Sequence, residues 1–87
     1  MSAPDILWRI AEDAGLRLRY WGEECVLFHG AACDTHRLPA LVGRLLERLA
    51  QAPASVSTLS AAIDLHEDDV SSALHELTRL GITEPRP

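Results

Sequence analysis

Four side chains able to ligate a metal or move a proton lie close together in this chain: Cys25, His29, Cys33 and His36. Thiolates and imidazoles are zinc ligands, so their proximity raises a structural metal site. The spacing decides part of that question. None of the four forms the Cys-x-x-Cys knuckle of a zinc ribbon. If the four sit on a hairpin with a four-residue loop, His29 pairs with Asp34, and Cys25, His29 and His36 share one face. With a three-residue loop, His29 pairs with Cys33 and His36 moves to the face of Val26 and Phe28. Neither register gathers all four, so no metal or other cofactor is expected. A Cys–His nucleophile would need a cleft, an oxyanion hole and exclusion of water, which a hairpin surface lacks. The chain is therefore read as non-catalytic.

Inside this cluster lies Asp34-Thr35-His36. As a recognition element, its Asp34 or His36 contacts a peptide or a partner enzyme. As plain structure, Asp34 anchors a turn, Thr35 suits a strand and His36 is a half-buried histidine. Both readings stay open on sequence. Trp8, Tyr20 and Trp21 carry the same choice between packing and peptide anchoring, with core packing favoured for Tyr20. Arg17 and Arg19 are either a solvated strand face or a landing strip for an acidic leader peptide. His66 and His75 read as exposed.

These residues must be positioned by recognisable elements. Leu16, Leu18 and Tyr20 alternate with Arg17, Arg19 and Trp21, the two-residue period of a half-buried strand. Gly22-Glu23-Glu24 reads as a turn. Cys25 to His29 reads as a second strand, Gly30-Ala31-Ala32 as a turn, and residues 33–38 as a third strand. Pro39 then opens a helix with Leu41, Val42, Leu45, Leu46 and Leu49 on one stripe, stopped by Pro53. Ser57 is read as the N-cap of a second helix from Thr58 to about Leu65, facing inward with Leu59, Ala62 and Ile63. Glu67, Asp68 and Asp69 start a third helix at the end of the dipole that favours negative charge. Val70, Ala73, Leu74, Leu77 and Leu80 form its buried stripe, and Gly81 ends it. Residues 1–15 read as a short helix from Pro4 or as an extended arm, and Ile82-Thr83-Glu84 as a short closing strand. The predicted fold is α+β and winged helix-turn-helix-like: a three-stranded antiparallel sheet followed by three helices, in one domain spanning 1–87.

The bulk numbers fit that reading. A chain of 87 residues buries only about 60% of its unfolded surface, which leaves little room for a deep catalytic cavity. No apolar run approaches the roughly 20 residues of a membrane span. Met1 to Asp5 has no basic segment ahead of an apolar one. A cytoplasmic location, without membrane association, is expected, with Cys25 and Cys33 as free thiols. The net charge is −5. A reader of duplex DNA concentrates positive charge to displace counterions from phosphate. Here the solvent face of the third helix carries Glu67, Asp68, Glu76 and only Arg79, so nucleic acid is not an expected partner.

Several stretches together resemble one family: Val26 to Leu38 with its Asp34-Thr35-His36, the apolar helix after it, Leu59-Ser60-Ala61-Ala62-Ile63, and Ala73-Leu74-His75-Glu76-Leu77-Thr78-Arg79-Leu80-Gly81-Ile82. They are similar to the PqqD-like peptide chaperones, the recognition elements for ribosomally made peptides. The Asp-Thr-His signature and the early tryptophan look most like the members associated with an HPr-kinase-related protein. The resemblance covers about residues 16–84. It implies a leader peptide that adds as an extra strand to the sheet edge, beside the third helix, and is presented to a modifying enzyme. On this chain the implied peptide-binding residues are Asp34, Thr35, His36, Arg37 and Leu38 on the edge. Val70, Leu74 and Leu77 would form the groove wall. The partners implied are a precursor peptide and a modifying enzyme of HPr-kinase-like type. The rival reading is a winged-helix scaffold or dimerisation subunit, since an exposed edge invites self-pairing into a homodimer; a DNA-binding regulator is a further, less favoured alternative.

Three positions depart from the family pattern. Cys33 stands where a turn glycine is usual, Arg37 replaces an apolar residue, and Pro39 replaces a polar helix cap. A left-handed Cys33 would cost about 1 kcal/mol or more. Pro39 has no N–H, so pairing along that edge is expected to end at Leu38.

Overall fold

The computed structural model describes residues 6–86. The expectations placed on Met1 to Asp5, including Pro4 as a first helical residue, lie outside them.

The chain runs β1 (Leu7–Ile10), β2 (Leu16–Trp21), β3 (Glu24–His29), a single 3-10 turn (Gly30–Ala32), β4 (Asp34–Pro39), α1 (Ala40–Gln51), α2 (Val56–Ile63), α3 (Glu67–Arg79) and β5 (Thr83–Arg86). The fold class is α+β. Strands β2, β3 and β4 form an antiparallel sheet in that order, and three helices follow it.

The register settles the hairpin. His29 pairs with Asp34, Leu27 with His36 and Cys25 with Leu38, so four residues separate the strands. Cys33 closes the turn in the left-handed region (φ 55°, ψ 34°). On the other side of β3, Leu16 pairs with His29, Leu18 with Leu27 and Tyr20 with Cys25. The two-residue period then gives the sheet two faces. Leu16, Leu18, Tyr20, Cys25, Leu27, His29, His36 and Leu38 face the helices. Arg17, Arg19, Trp21, Val26, Phe28, Thr35 and Arg37 face away from them.

Helix α1 lies across the helix-side face. Its stripe buries Leu45, Leu46 and Leu49, together with Gly43. A Cβ on Gly43 would stand 2.8 Å from the Cys25 sulfur and 2.8 Å from the Tyr20 hydroxyl. The glycine is what lets the helix come this close to the sheet. Leu59 of α2 and Val70, Leu74 and Leu77 of α3 complete the core with Leu27 and Ile82.

Residues 7–10 are the extended arm and not the helix. The closing strand exists and pairs with them: Leu7 with Arg86, Trp8 with Pro85, Arg9 with Glu84 and Ile10 with Thr83. This second, two-stranded sheet has no counterpart in the sequence reading. The Arg9 Nε and Nη2 both donate to the Glu84 Oε2 (3.2 and 2.8 Å) and join its strands. Trp8 is 8% exposed and exchanges backbone hydrogen bonds with Ala54. The α2 cap also differs. Ser55, not Ser57, accepts from the Thr58 backbone N–H, so the helix begins at Val56, earlier than Thr58, and Ala62 is exposed. No helix among the described residues is long and apolar enough to cross a membrane.

Candidate peptide-binding edges

Among the described residues, both outer strands of the three-stranded sheet have one side without a partner strand, and two bonds show which backbone groups point outward. The Ala40 N–H donates to the Glu23 carbonyl (2.8 Å), which makes 40 and 23 a bonded pair. Antiparallel ladders alternate bonded and non-bonded pairs. Leu38/Cys25, His36/Leu27 and Asp34/His29 are then bonded, and the N–H and C=O of Thr35 and Arg37 point away from β3. Pro39 falls at an outward position too, so its missing N–H costs the ladder nothing. Pairing with β3 therefore runs through Pro39, opposite Glu24, while on the outer edge Pro39 has no N–H to offer an added strand. On the other side, the Gly30 N–H donates to the Gly15 carbonyl (3.0 Å). By the same alternation, the backbone groups of Leu16, Leu18 and Tyr20 point outward from β2. The two results agree, since β3 must turn its odd residues to one neighbour and its even residues to the other.

The predicted recognition residues divide between the two faces. Asp34 is exposed beside the turn, while His36 and Leu38 are half-buried on the helix side. Thr35 and Arg37 are exposed on the open face, opposite Phe28 and Val26. The α3 residues do not join them. Val70, Leu74 and Leu77 are 0, 0 and 2% exposed, and α3 packs chiefly on α2 and β5. Their apolar spacing is satisfied by the core, so they offer no open wall to a peptide.

The cysteine–histidine set does not converge on a point. Cys25 and His29 are buried, His36 is half-buried on the same face, and Cys33 is exposed at the turn. No group of three or more metal-ligating side chains is brought together among the described residues. The His29 Nδ1 is buried without a hydrogen-bond partner among them.

The open face carries Trp21 and Phe28, 59% and 42% exposed. The Arg19 guanidinium lies 5.7 Å from the Trp21 ring centre, a cation–π contact. On the helix side, burial and the neighbouring Glu47 carboxylate push the Tyr20 phenol up to about 12. Burial also raises the Cys25 thiol. Tyr20 is 38% exposed and sits at the rim of the core. Two histidines have structural places that the sequence reading did not assign. His75 meets the Trp8 ring edge-on at 5.8 Å. His66 caps α3 by accepting from the Asp68 N–H.

An open cleft of about 530 Å³ lies between β2 and α1, lined by Ile10, Leu16, Leu18, Leu46, Glu47 and Ala50. The sequence shows each of these as part of a stripe. Only the placement of β1 beside α1 reveals that some of their surface remains uncovered.

No protein-family model, no curated protein and no solved structure matches this chain.

Proposed function

We propose that this protein is a non-catalytic, PqqD-like peptide chaperone with a winged-helix-like framework. It captures a precursor peptide by strand addition at β4 and presents it to a modifying enzyme, an HPr-kinase-like protein in the first instance. The observation that carries the reading is the outward-pointing N–H and C=O groups of Thr35 and Arg37 on an edge with no neighbouring strand among the described residues. Such groups are the affinity-giving part of β-augmentation. Asp34 and Arg37, exposed at either end of this stretch, supply side chains for specificity. The acidic first turn of α3, Glu67, Asp68 and Asp69, supports a peptide over DNA, because it would repel phosphate.

Thr35→Pro tests the reading. It deletes one outward donor while leaving the β3 bonds in place, so the domain is expected to stay folded. Wild type and variant are used side by side to capture partners from the native host's lysate, read by mass spectrometry. A peptide and an enzyme held by the wild type, with the peptide lost from the variant, are the expected outcome. Equal retention of the peptide by both refutes addition at this edge. An enzyme recovered equally with both and no peptide favours the scaffold reading.

A further inference from the structure

We infer that the β2 edge is a second strand-addition site, one that takes an extended peptide segment whose residues are alternately apolar and acidic. Three observations converge on it, and none depends on the role proposed for β4.

Leu16, Leu18 and Tyr20 turn their backbone N–H and C=O groups away from β3, so β2 offers a run of ladder partners. The side chains of these same residues face the helices. A strand added here would send every second side chain to that side, over the cleft lined by Ile10, Leu16, Leu18, Leu46, Glu47 and Ala50, whose one carboxylate favours apolar over acidic side chains there. Edge and side-chain pocket are the two parts that strand addition needs, and at β2 they adjoin. At β4 the residues expected to form a pocket are buried in the core.

The intervening side chains of the added strand would fall on the open face, directly opposite Arg17 and Arg19. Both arginines are exposed, and neither has an ion pair among the described residues. Opposite charges facing each other across a ladder stabilise it, and like charges destabilise it. The pattern of the occupant follows: apolar residues toward the cleft and carboxylates toward the arginines. The same rule disfavours a second copy of this chain. Pairing β2 with itself so that both sheets keep one open face sets Arg17 and Arg19 opposite Arg17, Arg19 or Trp21, with no carboxylate to meet them.

The test is fluorescence anisotropy with two short labelled peptides, one alternating valine and glutamate and one alternating valine and lysine. Wild type is expected to bind the first and not the second. Leu18→Pro removes an outward donor, and Ala50→Glu puts a charge at the exposed mouth of the cleft. Each is expected to weaken binding roughly tenfold, the cost of about one good hydrogen bond or desolvated contact. Ala50→Glu and the double variant Arg17→Glu/Arg19→Glu decide the matter if Leu18→Pro fails to fold. The double variant should exchange the preference in favour of the lysine peptide. Thr35→Pro should bind as wild type does. Failure of the glutamate peptide to bind overturns the inference. So does binding indifferent to Ala50→Glu and to the charge exchange, and so does binding lost only in Thr35→Pro. That last result moves the site to β4 and leaves the reading of that edge intact.

Discussion

At the scale of single residues, Cys33 shows how a loop length becomes an energetic cost. The four-residue connection places it at φ 55°, where its Cβ crowds the following carbonyl. Its thiol reaches the Gly30 carbonyl at 3.7 Å, a weak contact that offsets little of this. Asp13 and Asp64 occupy the same region, but a short polar side chain tolerates it better. Cys33→Gly is therefore expected to stabilise the domain by about 1 kcal/mol. Urea denaturation would show a higher midpoint at unchanged slope. A lower midpoint would mean that the thiol contributes more than the strain costs. The register itself could not be chosen from sequence, because three- and four-residue loops both gave a plausible face to His36. The pairing of His29 with Asp34, which sets half-buried His36 opposite buried Leu27, resolves it.

At the scale of elements, α1 and the sheet meet where Gly43 admits Tyr20 and Cys25. Tyr20 is the only tyrosine, so phenolate absorbance reports this contact alone. Burial comes first among the causes that raise it from 10.0 to about 12, followed by Glu47. The folded chain then holds the proton to higher pH than the unfolded chain. Between pH 10 and about 12 the folded state binds more protons, so stability falls as pH rises. Below that window the phenol is protonated in both states and has no effect. Cys25, raised from 9.0, acts in the same direction from a lower starting point. A phenolate midpoint near 12, with a shallower alkaline loss of stability in Tyr20→Phe, is expected. A midpoint near 10 would show that α1 does not cover the ring. The strands of this sheet and the three helices were legible because their apolar periods are local. The β1–β5 sheet was not. Ile6 and Ile10 fit a helix turn equally well, and the partner of Trp8 lies at the far end of the chain. Val70, Leu74 and Leu77 were legible as a buried stripe from their spacing, and they are buried; only the family resemblance also made them an open groove wall, and that part does not hold.

At the scale of the whole molecule, the chain is closed by its ends. β1 and β5 pair, Trp8 exchanges bonds with Ala54 just before α2, and its ring packs on His75 of α3. Trp8 thereby joins the first strand, the connection between α1 and α2, and the last helix into one core. The three-stranded sheet reaches that core through Leu27 and α1. A small domain has a stability of only about 5–15 kcal/mol. Emptying the site of a buried tryptophan costs about 3–5 kcal/mol. Trp8→Ala should therefore take a large part of the margin from this domain, while Trp21, exposed on the open face, should tolerate alanine with little loss. If the core is one cooperative unit, helical circular dichroism and the fluorescence of the remaining Trp21 will melt together in the Trp8→Ala variant, at a much lower temperature than in the wild type. If the ring is merely a surface lid, the variant will lose less than about 1 kcal/mol. If β1 and β5 are a separate appendage, the helices and the Trp21 sheet will keep their wild-type transition. Either result would mean that the two open strand edges belong to a framework that does not need its clasp. The geometry argues the opposite, because Ile10 of that clasp also lines the cleft beside β2.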